Sequence, residues 1–67
     1  MKGTIFIITY FCWQDSSRIQ YSLVATSMYS ESDWTIQEVN SIAEENVGED
    51  GIDGYYITKQ EILSSNI

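Results

Sequence analysis

The side chains in this chain that could do chemistry are almost all carboxylates. Ten Asp and Glu residues stand against three Lys and Arg, and histidine is absent. General acid–base catalysis usually rests on a histidine or on a carboxylate perturbed by burial or by a close charge. Glu44 and Glu45 are neighbours in sequence, so on a helix they point in different directions and cannot act as a facing pair. Cys12 is the single cysteine. It lies in an apolar run without an adjacent base, where a thiol behaves as a small hydrophobe rather than a nucleophile. Without His, a zinc site of mixed Cys and His ligands is excluded in practice. The expectation is a chain that is not an enzyme and carries no cofactor or structural metal.

One acidic stretch calls for a closer test. Asp50-Gly51-Ile52-Asp53-Gly54-Tyr55-Tyr56-Ile57-Thr58-Lys59-Gln60-Glu61 follows a helical pattern and ends in Glu, which resembles the calcium loop of EF-hand proteins. That loop needs oxygen ligands at positions 1, 3 and 5, Gly at 6 and Glu at 12. With Asp50 at the first position, Ile52 and Gly54 fall where ligands are required and Tyr55 falls where Gly is required. With Gly54 at the sixth, the last position is Gln60. The register is off by one residue, and a solvated acidic turn is the expectation. Weak calcium binding remains a minor alternative.

The elements that must position these residues follow from periodicity. Thr4 to Trp13 is rich in Ile, Phe, Tyr and Thr and free of Gly and Pro, which predicts a strand. Both faces are apolar, with Phe6, Ile8, Tyr10 and Cys12 on one and Ile5, Ile7, Phe11 and Trp13 on the other. Such a strand is central in its sheet, or its second face meets a partner. Gln14-Asp15-Ser16-Ser17 is a polar break. Ile19 to Tyr29 then alternates, with Ile19, Tyr21, Leu23 and Ala25 on one face, although Val24 and Met28 interrupt the other. The pair predicts an antiparallel hairpin.

Thr35 and Glu38 have the spacing of a capping box, with Trp34 and Val39 placed as a hydrophobic staple. A helix is expected over about 36–47. Ile36, Val39, Ile42, Ala43 and Val47 share one side, and Gln37, Asn40, Ser41, Glu44 and Glu45 face water. Gly48 is the expected left-handed cap. After the Glu49 to Gly54 loop, Tyr55-Tyr56-Ile57 begins a third strand. Thr58 and Glu61 repeat the capping spacing, so a short helix over about 59–64 competes with a strand running on to about Leu63. The fold class is α+β, with order β-β-α-β. One helix is laid on one face of a three-stranded antiparallel sheet, forming a single domain over residues 1–67.

Charge narrows the choice of partner. The formal net charge is −7, and between Arg18 and Lys59 there are eight carboxylates and no cation. Such a chain is repelled by nucleic acid and by anionic membrane, and a protein with a basic surface is the expected charged partner. No stretch is long enough to span a bilayer, and no secretory leader is expected. A free thiol suits the cytoplasm. A thin core without disulfides makes a homodimer a live alternative.

The Ile5-Phe6-Ile7-Ile8-Thr9-Tyr10 start, the Trp34-Thr35-Ile36-Gln37-Glu38-Val39 helix opening and the closing strand resemble the layout of short phage-encoded accessory proteins. That resemblance implies a product that binds and inhibits or modulates a host protein or defence complex in the host cytoplasm. It includes acidic DNA mimics, whose carboxylates stand in for phosphates. No functional residue is carried over from it. The candidate partner-binding residues come from charge and aromatic content alone: Glu38, Glu44, Glu45, Glu49, Asp50 and Asp53 on the helix and loop, with Trp13, Phe11 and Tyr56, which either form a patch on the open sheet face or cover the helix-facing core.

Overall fold

The computed structural model of the chain describes residues 2–63. Strand β1 spans Lys2–Trp13, β2 Tyr21–Ser30, helix α1 Ile36–Asn46 and β3 Gly54–Leu63. The sheet is antiparallel throughout, in the order β2-β1-β3, so the most apolar strand is central. The ambiguous last segment is strand as far as Leu63, because β3 pairs with β1 over its whole length. Glu61 stands opposite Thr4 in that ladder, and the Thr58/Glu61 spacing is not used as a cap. Residues 64–67, the far end of the competing helix, lie outside the described residues.

The β1–β2 connection is organised by Asp15. Its carboxylate accepts from the Ser17 hydroxyl at 2.6 Å and from the Ile19 N–H at 3.3 Å. Those bonds favour the charged form, the Ser17 bond most, and hold the Asp15 carboxyl below the usual carboxylate range. Arg18 takes a left-handed conformation (φ 61°) to complete the reversal.

Strand β2 contains a bulge that the alternation alone hides. Tyr10 pairs with Ala25, but the next residue, Phe11, pairs with Leu23, leaving Val24 as an extra residue. Side-chain parity flips there. Tyr21 and Leu23 therefore lie on the Phe11 and Trp13 face, while Ala25 lies on the Tyr10 face. The expected grouping of Tyr21, Leu23 and Ala25 is corrected accordingly.

The helix forms where the capping box predicts. Thr35 is the N-cap; its hydroxyl accepts from the Glu38 N–H at 3.2 Å, and the Glu38 carboxylate accepts from the Thr35 N–H at 2.9 Å. Trp34 packs edge-on against Tyr29, with ring centroids 5.1 Å apart. The helix stops at Asn46 because Val47 is extended (ψ 132°). Gly48 (φ 93°) turns the loop, giving its N–H to the Ile52 carbonyl, rather than closing the last helical turn.

One face of the sheet is covered. Phe6, Ile8 and Tyr10 from β1 are buried with Val39 and Ala43 from α1 and with Ile52, which the loop inserts. Two tyrosines opposite each other in the β1–β3 ladder fix the helix in place. The Tyr10 oxygen accepts from Asn46 Nδ2 at 2.8 Å, and the Tyr55 hydroxyl donates to Asn40 Oδ1 at 2.6 Å. Asn40 is thus half-buried and engaged, not turned to water as its position in the pattern suggests. An 11-residue helix is only about 16 Å long, while the 12-residue β1 extends about 40 Å. The helix covers the middle of one face and nothing of the other.

Candidate functional site

The uncovered face is built by the odd-numbered residues of β1. It shows Ile5, Ile7, Thr9, Phe11 and Trp13 along the centre. Ser30, Met28, Thr26, Leu23 and Tyr21 flank them on β2, in register. On β3 the flanking residues are Ile62, Gln60, Thr58, Tyr56 and Gly54. None of these side chains is charged. Among the side chains described, the charged ones lie elsewhere: on the helix face of the sheet, on the helix, or in loops.

Four aromatic rings gather at one end of this face. Phe11 is the hub, 5.1 Å from Trp13, 5.2 Å from Tyr21 and 6.4 Å from Tyr56; Trp13 and Tyr21 are 6.0 Å apart. Edge-on and tilted rings at these distances attract through their quadrupoles as well as by burial. Gly54 makes the hub possible. A Cβ there would lie 2.6 Å from the tip of the Phe11 ring, so the ring lies flat across the strand because the glycine is bare. Ile5, Ile7, Met28 and Ile62 form an aliphatic end. Thr9, buried between Thr26 and Tyr56, marks the centre.

The face is apolar and open to solvent. Met28 is 68% exposed, Leu23 62%, Tyr21 56% and Tyr56 45%. Scattered exposed apolar residues are normal on any surface; here they share one uncharged face with Thr9, Thr26, Ser30, Thr58 and Gln60.

The sequence-derived candidates divide between two sides. Phe11, Trp13 and Tyr56 are brought together on the open face. Glu38, Glu44, Glu45, Glu49 and Asp50 sit on the helix and the loop after it, on the other side of the sheet, and the two groups form no common site. Two of the candidate acids are occupied within the fold. Glu38 closes the capping box, and the Asp53 carboxylate accepts from the Trp13 N–H at 2.8 Å, extending the end of the β1–β3 ladder. Glu44 accepts from Asn40 at 3.2 Å, and Glu45, Glu49 and Asp50 are exposed. Tyr21, Leu23, Met28 and Ile62 also stand on the open face and are not among the sequence-derived candidates; for Tyr21 and Leu23 the signal was the broken alternation around Val24.

No protein-family model matches this chain, and no curated protein and no solved structure matches it either. Among the described residues, no three His, Cys, Asp or Glu side chains converge as metal ligands. The EF-hand geometry is not built, since Asp53 is bonded to β1 and Glu61 lies in a strand. No helix among them is long and apolar enough to cross a membrane. A groove of about 330 Å³ lies on the helix side, lined by Phe6, Ile36, Ile57, Thr58 and the ion pair of Lys59 with Glu31 (2.7 Å).

Proposed function

We propose that this chain is a non-catalytic protein-binding module whose contact surface is the open face of the sheet. The observation that supports this most is the absence of any charged side chain from a three-stranded face in a protein of net charge −7. Charge depletion with aromatic and Met enrichment is the composition of interface cores. Phe11, Trp13, Tyr21 and Tyr56 are the anchors, since a few large aromatic side chains carry most of a contact's energy. The exposed acids at the helix C-terminal end, Glu44, Glu45, Glu49 and Asp50, act at longer range. They steer a basic protein surface toward the module and repel nucleic acid and anionic membrane. In the setting that the resemblance to short phage proteins implies, the bound protein is a host component and binding inhibits or modulates it. DNA mimicry draws less support, because Glu38 and Asp53 are used inside the fold and Glu31 is paired with Lys59.

Affinity capture with the tagged chain as bait tests this reading. Two baits are compared with the wild type: Leu23→Lys/Met28→Lys on the open face, and Glu44→Lys/Glu45→Lys/Asp50→Lys on the helix side. The open-face variant is expected to lose its bound protein, and the helix-side variant to retain it with altered salt sensitivity. Capture that survives the open-face variant and fails with the helix-side variant would assign binding to the acidic side instead.

A further inference from the structure

We infer that the occupant of the open face is a second copy of this chain, packed face to face as a two-sheet sandwich. This rests on the reading of that face as a protein contact and names the protein.

Charge selects the partner. Two copies carrying −7 each repel wherever carboxylates meet. The helix, the loop after it and the β1–β2 turn all present acids. The open face is where two copies can approach with only neutral side chains between them, and there each copy places its own helix and acidic loop on the outside of the pair.

Area is sufficient. Eleven β1 residues, Gly3 to Trp13, at about 3.3 Å each, and three strands about 4.8 Å apart, give a face of roughly 36 by 14 Å. Two such faces bury about 1,000 Å² in projection, and more once side-chain relief is included. A specific interface needs about that much. Stacked sheets sit about 10 Å apart and cross at about 30°, which the sheets' own twist supplies.

Shape also suits a two-fold axis. Thr9 and Thr26 occupy the middle of the face beside Tyr56, with an aromatic end beyond Phe11 and an aliphatic end toward Ile5. An axis across the strands at Thr9 sets Phe11 and Trp13 of each copy on Ile7 and Ile5 of the other and Leu23 on Met28, while Tyr56 meets its own counterpart. The core supports the same conclusion. Among the described residues six hydrophobic ones are buried, a small core for a chain whose one cysteine is free. Such domains commonly add burial by pairing.

Sedimentation equilibrium on the purified chain tests the inference. The wild type is expected at twice the 7.7 kDa chain mass at high micromolar concentration, dissociating on dilution. Added salt should tighten the pair, because it screens repulsion between the two acidic outer surfaces. Leu23→Lys/Met28→Lys puts charge at positions already exposed in the single chain, so the fold measured by circular dichroism should persist. Its dissociation constant should rise about a hundredfold or more, since the lysines would be buried unpaired. Glu45→Lys should leave the pair intact or tighten it. A wild type that stays at 7.7 kDa up to several hundred micromolar, or a pair indifferent to the two lysines, overturns the inference. If the wild type is monomeric and the Leu23→Lys/Met28→Lys bait still loses its captured protein, the contact-face reading survives and the second copy falls. If capture is also unchanged, both fall.

Discussion

On the helix side of β1, Phe6, Ile8 and Tyr10 are buried, whereas on the other side Ile5, Ile7, Phe11 and Trp13 are only half-buried and their neighbours on β2 and β3 stand open. Both faces come from one strand with apolar residues on each. The first is finished within the chain, by a capped helix and an inserted loop isoleucine. The second is uncharged and carries its apolar side chains among Thr, Ser and Gln, and no helix or loop among the described residues covers it. The difference shows that hydrophobic patterning alone does not distinguish a covered face from an open one. What distinguishes them is whether the chain supplies a second layer.

The largest test of this contrast is Ile8→Ala against Leu23→Ala. Ile8 is fully buried, and its truncation should cost about 2–5 kcal/mol. For a domain of this size that approaches the whole folding stability. Leu23→Ala should stay within about 0.5 kcal/mol in the dilute, unassociated chain. Urea unfolding at low protein concentration measures both. Equal costs would mean that the open face is already part of the folding core.

Gly54→Ala probes how the open face is arranged. An added methyl displaces the Phe11 ring from its place over the glycine, and overpacking of this kind costs about 1–3 kcal/mol. The same variant should change the near-ultraviolet circular dichroism of the aromatic cluster. An unchanged spectrum would show that Phe11 does not depend on the bare glycine.

On the acidic side the comparison is between carboxylates. Thr35→Ala removes the N-cap and should cost about 1 kcal/mol, and Glu38→Ala should lose part of the same box. Glu45→Ala, on the exposed helix surface, should change stability by less than about 0.5 kcal/mol. Thermal unfolding of the three separates acids that hold the fold from acids that only set the charge.

The smallest effect concerns pH. The folded-state value of Asp15 lies below its ordinary value near 3.9, so its contribution is present above that value and fades as pH falls through the lowered folded one. Asp15→Asn should flatten the acid limb of the stability curve slightly and leave neutral pH nearly unchanged apart from the lost turn bonds. An acid limb identical to that of the wild type would remove Asp15 from the account.

Much of this was legible in the residues because it is local. Thr35 and Glu38 specify the helix start within four residues, and the Ile, Phe and Tyr run specifies β1. What was not legible depends on pairing between distant segments. Val24 becomes a bulge only against Tyr10 and Phe11, and it decides which face Tyr21 and Leu23 occupy. Thr58 and Glu61 could cap a helix, but the ladder with β1 overrides them. Asn40 reads as a surface residue until Tyr55 is placed below it. Glu38 and Asp53 read as free charge until their backbone partners are known.

The chain's two tryptophans report on different sides of the sheet. Trp13 lies in the ring cluster of the open face, and Trp34 packs on Tyr29 beside the helix start. Acrylamide quenching of Trp34→Phe and Trp13→Phe, each followed from sub-micromolar to several hundred micromolar protein, therefore tests the central claim directly. The account predicts that Trp13 becomes shielded as concentration rises while Trp34 does not. Shielding of Trp34 alone, or no change in Trp13, would contradict the pairing of two copies through the open face.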